Sequence, residues 1–325
     1  MIYIESNSND PAYNLALEQY AFDSLSKVDD IFMLWENKDS VVIGLHQNTF
    51  EEINPSFISE HGIHVVRRLS GGGAVFHDLG NLNYTLIKKT AIDEQIDIFA
   101  SCKPISDALS SLGLPVEFSG RNDMTINSRK FSGNASYCRD GRLMHHGTLL
   151  FNVNLNNMEQ ALRVSYDKLF SKSVKSIRSR VINLSDFLDM TQYEFKTSIR
   201  RFVVGDAPLF LLSEKDKIEV ESISRERYAT WDWTYGKSPN FDIVKSRRLE
   251  SFGTICIRLS IDNGIITSFA TDGDYFGVLK CSGVSDVLRG VKLEMNALMR
   301  ALEKIDLNEY YEGLSAAALA RLILE

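Results

Sequence analysis

Arg67-Arg68-Leu69-Ser70-Gly71-Gly72-Gly73-Ala74-Val75-Phe76-His77-Asp78 is the stretch on which the fold turns. It closes a run rich in β-branched residues at 63–69 and opens an extended segment at 74–87, with a turn at 78–81. The three glycines therefore lie between two strands. Glycine admits positive φ, which lets successive amide N–H groups gather into a concavity for phosphate or carboxylate oxygens. Arg68 offers a planar bidentate donor to the same anion. An adenylating enzyme needs such groups, because it holds a carboxylate against an α-phosphate and stabilises the charge that develops there. No G-x-x-x-x-G-K-[ST] occurs, which excludes a Walker P-loop, and no G-x-G-x-x-G joins a strand to a helix, which leaves a dinucleotide site unsupported. Taken alone, the triplet equally suits a sharp hairpin bend.

Working outward, residues 1–5 read as a strand, and Asp10-Pro11 as the cap and first turn of a helix with Leu15, Leu17, Ala21, Phe22 and Leu25 as its apolar stripe. IFMLWE and SVVIG are strands on either side of the polar turn 37–40. Ile98, Cys102, Ile105, Leu109 and Leu112 keep helical spacing up to Gly113. Strands follow at 116–119, 124–127, 130–137 and 143–154, the last two joined at Asp140-Gly141. Helices are expected within 157–164, 193–203 and 214–230. The texture changes near 235–239, where a linker is placed; beyond it come a hairpin turning at Asp262-Asn263-Gly264 and helices around 291–305 and 314–324. The expected architecture is a large mixed α/β domain over 1–240 and a small α/β domain over 246–325.

The 325 residues are 44% hydrophobic and 24% charged, which suits a globular enzyme with ample core. A net charge of -7 with scattered basic residues argues against a nucleic-acid backbone as partner. Cys102, Cys138, Cys256 and Cys281 form no C-x-x-C pair and read as free thiols in a reducing compartment. The first residues lack a secretion signal, and no apolar run reaches the ~18 residues that span a membrane. A cytoplasmic protein without membrane contact is expected, with monomer as the default.

R-R-x-S-G-G-G-A-V-F-H-D-x-G-N closely resembles the lipoate-binding loop of lipoate–protein ligases. The resemblance extends through Gly120-Arg121-Asn122-Asp123, Arg129-Lys130-Phe131-Ser132-Gly133 and His145-His146-Gly147-Thr148-Leu149-Leu150. Ile177-Arg178-Ser179-Arg180-Val181-Ile182-Asn183-Leu184 is similar to the family's adenylate-binding loop. These blocks stand in order across residues 1 to about 240, and the small C-terminal domain fits the longer bacterial members.

The resemblance implies a biotin/lipoate ligase-type fold, of the class II synthetase kind. It implies activation of lipoate by ATP to lipoyl-AMP, then transfer to a lysine of a lipoyl domain, either a 2-oxoacid dehydrogenase E2 subunit or the glycine-cleavage H protein. Carried over, Arg68, Gly73, Ala74, Val75 and Phe76 contact ATP, with Asn122 and Asp123 near the adenine or the magnesium-bound phosphates; Asp123 is the candidate Mg²⁺ ligand. Lys130 touches both the acyl carbonyl and the phosphate and is the candidate catalytic residue, an ammonium able to bridge two oxygens. Ser70, Gly71, Gly72, His77, His146 and Gly147 line the lipoate site, Asp78 helps order the loop, and Leu17, Trp35 and Val42 are candidates for the apolar slot. The segment 172–184 is expected to order over the adenylate.

Three rivals remain at this point. An ATP-independent octanoyl or lipoyl transferase shares the fold but uses a cysteine; in one branch of that family the register puts Leu143 where the cysteine belongs, with Cys138 out of register. A biotin–protein ligase lacks support, since G-R-G-R-x-G is absent. A non-catalytic lipoate-binding module would not need Arg68, the glycine triplet and Lys130 together.

Overall fold

The computed structural model describes residues 1–25, 30–91, 97–120, 122–162, 180–238, 241–249, 252–273, 279 and 281–324. Arg121, Ile177, Arg178, Ser179, the part of the expected loop at 172–179 and the last two residues of the helix expected at 157–164 lie outside them. The chain divides into two units: Met1–Gln47 with His61–Thr234, and Asn48–Glu60 with Tyr235–Glu325.

A mixed seven-stranded sheet forms the centre of the first unit. Its spatial order is β1 (Ile2–Glu5), β2 (Ile31–Trp35), β6 (Asn81–Lys89), β10 (Arg142–Leu150), β9 (Arg129–Arg139), β8 (Asp123–Ile126) and β7 (Glu117–Ser119). Only β1 and β2 run parallel; the other neighbours are antiparallel. Strand alternation sends Met33, Trp35, Ile87 and Met144 to one face, where they pack with Leu15, Leu17 and Ala21 of α1 (Pro11–Ser24). Phe32, Leu34, Tyr84 and Leu149 face the other way, against Cys102, Ile105 and Leu109 of the helix Ile98–Ser111 and Phe195 and Ile199 of the helix Gln192–Val204. Helix α1 starts where expected, with the Asp10 side chain accepting from the Ala12 N–H and proline in the first turn.

A second, three-stranded sheet places β3 (Ser40–Ile43) between β4 (His64–Arg67), parallel, and β5 (Val75–His77), antiparallel. The two strands flanking residues 37–40 thus belong to different sheets rather than to one hairpin. Asn37 explains the difference: it is fully buried, accepts from Asn14 Nδ2 and contacts His77, so the segment is a packed crossover.

The second unit carries the antiparallel sheet Phe241–Leu249, Gly253–Asp262 and Ile265–Gly273, with helices Ser282–Leu288, Met295–Leu302 and Ala316–Leu324. The hairpin turns at Asn263-Gly264, both at positive φ, as the spacing predicts. The strand Phe241–Leu249 and the helices Thr49–Glu52, Pro55–His61 and Ser282–Leu288 add to the elements expected from the sequence. Asn48–Glu60 joins this unit: the Thr49 N–H donates to Ser238 Oγ at 3.1 Å, and the Phe50 and Tyr235 rings lie 5.3 Å apart. The helix expected over 214–230 runs as Glu214–Ile223 and then widens over Ser224–Tyr228. No helix among the described residues is long and apolar enough to cross a membrane.

Candidate active site

A cleft with about 560 Å³ of empty space, part of it open to solvent, lies between the glycine loop and the α1 face of the large sheet. Its floor is a row of residues set by register. Trp35 of β2 pairs with Asn83 of β6, and Asn83 with Thr148 of β10. Thr148 Oγ1 accepts from the Gly133 N–H of β9, and Gly133 pairs with Asp123 of β8. Trp35, Asn83, Thr148 and Gly133 all line the cleft.

Lys130 stands at the Gly133 end of this row. Asn127 and Ser128 adopt left-handed φ of 51° and 60°, a tight turn that returns the chain from β8 into β9 immediately before it. A Cβ on Gly133 would come within 2.7 Å of Lys130 Nζ, so glycine there makes room for the ammonium to arch over the strand. Asp123 Oδ1 holds Nζ at 2.7 Å. Val181 bridges to Lys130 in parallel, the Ile182 N–H donates to the Lys130 carbonyl at 2.9 Å, and Arg129 Nη2 donates to the Val181 carbonyl at 2.7 Å. The described end of the segment similar to an adenylate loop is thereby tied to the lysine's own backbone.

The two arginines before the glycines part company. Arg67 is wholly buried; it donates through Nη1 to the Gly44, Leu45 and Gln47 carbonyls and through Nη2 to that of Thr234, so it cross-links loops. Arg68 lines the cleft, but its donors brace the loop: Nη2 to the Gly71 and Gly73 carbonyls at 2.6 and 2.8 Å, Nη1 to the Val42 carbonyl at 3.0 Å, Nε to Ser70 Oγ at 3.0 Å. Burial lowers both guanidinium pKa values to about 10, and both stay cationic at neutral pH. Of the three glycines only Gly72 has a left-handed φ, 88°, the one position where a side chain would be strained.

A polarised hydrogen-bond chain runs from this loop into the core. Because arginine only donates, the Ser70 hydroxyl accepts from Arg68 and donates its own O–H to His146 Nε2 at 2.6 Å. His146 Nδ1–H then donates to Glu18 Oε1 at 2.8 Å. The Thr85 hydroxyl also donates to Glu18 Oε1, at 2.7 Å, and accepts the indole N–H of Trp35 at 3.0 Å. Glu18 is 2% exposed on α1. Sequence reasoning missed it, though an acid at three residues from both Leu15 and Ala21 falls inside the apolar stripe.

His77 is set by a similar logic. Asn37 Oδ1 is occupied by Asn14, so Asn37 Nδ2 donates to His77 Nδ1 at 3.1 Å and the proton of His77 sits on Nε2. That Nε2–H and the Nδ2 of Asn83 are buried without a hydrogen-bond partner among the described residues.

Burial above all, then the charge of Arg68, pushes His77 down from 6.5 to about 3. His145, on the other face of β10, falls equally far through burial, with smaller contributions from His146 and Lys88. Both are neutral in the fold. An unfolded histidine takes its proton near pH 6.5 and these only near pH 3, so the unfolded state binds more protons between those values and stability falls as pH falls. Denaturant titrations from about pH 7 to about pH 5 should show a loss approaching 1.4 kcal/mol per pH unit per histidine below the ordinary value. Stability that stays level over that range would contradict these assignments.

Among the expected site residues, Arg68, Gly73, Ala74, Val75, Asn122, Lys130, Trp35, Val42, His77, His146 and Gly147 line one cleft. Asn122 is also committed to the wall: its Nδ2 donates to the Asn134 main-chain carbonyl, and Asn134 Nδ2 donates to that of Asn122. Ser70, Gly71, Gly72 and Phe76 do not line the cleft: Ser70 and Gly71 accept from Arg68, Phe76 is buried, and Asp123 reaches the cleft only through its ion pair with Lys130. Asp78 fixes a turn by accepting from Gly80 and Asn154 N–H groups. Leu17 is not brought in; residues two apart on a helix point about 200° apart, and Leu15 takes the cleft position instead. Among the described residues no group of three His, Cys, Asp or Glu could cage a metal ion.

The family model described as the lipoyl protein ligase A/B catalytic domain matches residues 10–203, and that of the bacterial lipoate protein ligase C-terminus matches 238–323. A lipoate-protein ligase of Bacillus subtilis is 41% identical, the alignment covering 99% of this chain and all of that one. Lipoate–protein ligase 1 of Staphylococcus aureus is 35% identical with the same coverage. In structure, the bipartite lipoate protein ligase described with its E2 lipoyl domain from Thermoplasma acidophilum matches with a TM-score of 0.63 at 27% identity, over 73% of this chain and 96% of that one. A lipoate-protein ligase A bound with ATP matches with a TM-score of 0.62 at 25% identity, over 73% and 98%. With both family models in sequence order and relatives aligned from end to end, the chain belongs to the lipoate–protein ligase family, enzymes of the ligase class.

Proposed function

We propose that this protein activates lipoate with ATP to lipoyl-AMP and transfers the lipoyl group to a lysine of a lipoyl domain. The observation that carries the reading is the placement of the Lys130 ammonium at one end of the cross-sheet row that ends at Trp35. In the first step a lipoate carboxylate oxygen attacks the α-phosphorus and pyrophosphate leaves. In the second the acceptor ε-amine attacks the acyl carbon and AMP leaves. Lys130, with three N–H donors, serves the carboxyl oxygen and the phosphate in both steps, and Asp123 holds it in place. Arg68 braces the loop of Gly73, Ala74, Val75 and Phe76 through the Gly71 and Gly73 carbonyls, and the buried cations Arg67 and Arg68 together bias it toward the nucleotide phosphates.

Magnesium is best read as part of the nucleotide substrate. It is ordinarily held by one or two carboxylates plus substrate phosphates, and Asp123 beside the cleft is one such carboxylate. The acceptors fitting this reading are E2 lipoyl domains and the glycine-cleavage H protein. Four free thiols suit the reducing cytoplasm, and a cleft built within one chain suits a monomer. We assign the catalytic role to residues 1–240 and an accessory role to 246–325.

The ATP-independent transferase reading needs a cysteine at the cleft. No cysteine lines it, and Cys138 sits opposite Leu143 on the His145 side of the sheet. Incubation with lipoate, ATP, Mg²⁺ and an unmodified lipoyl domain should therefore add one lipoyl group to a single lysine, seen by mass spectrometry, and omission of ATP should prevent it. Transfer from octanoyl-carrier protein without ATP would move the assignment to the transferase.

A further inference from the structure

The slot around Trp35 is not uniformly apolar. Leu15, Val42 and Val75 line it, yet two polar atoms stand among them: His77 Nε2 and Asn83 Nδ2, in residues each 2% exposed and with no hydrogen-bond partner among the described residues. Asn83 is the cross-strand partner of Trp35, and the His77 ring centroid is 6.1 Å from that of the indole, so both atoms gather at the Trp35 end of the cleft. The Trp35 N–H is already committed to Thr85. The bond from Asn37 fixes His77 as an Nε2–H donor, and Asn83 Oδ1 accepts from Asn81 at 2.9 Å, which leaves its Nδ2 as the unpaired atom of a side chain that lines the slot.

From Trp35 to Gly133 the row crosses three inter-strand spacings of about 4.8 Å, or ~14 Å. A medium-length acyl chain lying extended along the row with its carboxyl at Lys130 therefore brings its distal end to these two donors. A buried donor left unpaired is costly, and a site that offers one disfavours a ligand unable to accept from it.

We infer that His77 and Asn83 form a donor subsite that selects acyl chains bearing acceptor atoms at the distal end, such as the two sulfurs of a dithiolane, over plain alkyl chains. The inference rests on the ligase reading above. It gives the cleft a means of preferring lipoate to octanoate that apolar contacts alone would not supply, since the two chains are of similar length.

The test is calorimetric binding of lipoate, octanoate and 8-methoxyoctanoate to the whole protein without ATP. Lipoate and the methoxy analogue, which carries an acceptor but no donor, should bind about tenfold more tightly than octanoate. Asn83→Leu and His77→Phe, each checked for folding by its melting curve, should shrink that ratio toward one. Octanoate binding as tightly as both others to the wild-type protein, or a ratio unchanged in a folded variant, overturns the subsite while leaving the ligase reading intact. If neither variant folds, the comparison of octanoate with 8-methoxyoctanoate on the wild-type protein decides. Failure of all three to bind overturns the ligase reading, and the subsite with it.

Discussion

Lys130→Ala should lower lipoate-dependent pyrophosphate release by about 10²- to 10³-fold, the range seen when one preorganised donor to a developing charge is removed. It should do so with almost no loss of stability. The Lys130–Asp123 pair is a third exposed on both sides, and such pairs contribute roughly 0–1 kcal/mol. A melting temperature within about 3 °C of wild type together with the collapse in rate would separate chemistry from folding. Lipoyl-AMP formation at the wild-type rate would remove Lys130 from the mechanism.

Glu18→Ala should act in the opposite manner, with its largest effect on the fold. The carboxylate is the common acceptor for His146 Nδ1–H and the Thr85 hydroxyl, both buried. Its removal strands two donors at about 1–3 kcal/mol each and opens a cavity beside α1, so a total loss of about 3–5 kcal/mol is expected from denaturant titration. Release of His146 also frees the Ser70 hydroxyl that seats Arg68, so the glycine loop should lose its hold on ligand as well. Glu18→Gln, which keeps the volume and one acceptor, should fall between. A loss below about 1 kcal/mol in the alanine variant would show that the chain of bonds from Ser70 to Trp35 does not support the site.

The contrast between these two residues separates what the sequence makes legible from what only the fold reveals. Lys130 and the glycine loop were readable because their chemistry is local: a lysine flanked by Phe-Ser-Gly, and three glycines between a run rich in β-branched residues and a second extended segment. Glu18 was readable in principle, as an acid inside an apolar helical stripe, but its partners lie on strands 67 and 128 residues away. The donor pair His77 and Asn83 was legible only in part. His77 stood in the motif, whereas Asn83 acquires meaning through the register of β2 on β6, which no local periodicity encodes.

Several elements were hidden for a similar reason. The strands 31–35 and 40–43 have equal β-character, and only the buried amide of Asn37 reveals that the chain changes sheet between them. The strand Phe241–Leu249 contains Lys245, Ser246, Arg247 and Arg248, which read as a polar connection rather than as the edge of an antiparallel sheet. Arg67 and Arg68 look interchangeable in sequence. Burial and geometry make the first a cross-link between loops and the second the brace of the glycine turn.

On the proposed function, this cleft joins a carboxylate to an α-phosphate. Its most direct measurement mixes the purified protein with lipoate, ATP and Mg²⁺ in the absence of any acceptor, and follows pyrophosphate together with lipoyl-AMP by mass spectrometry. Both products are expected in equal amounts, dependent on lipoate. Absence of lipoyl-AMP and pyrophosphate from protein shown to bind both substrates would contradict it.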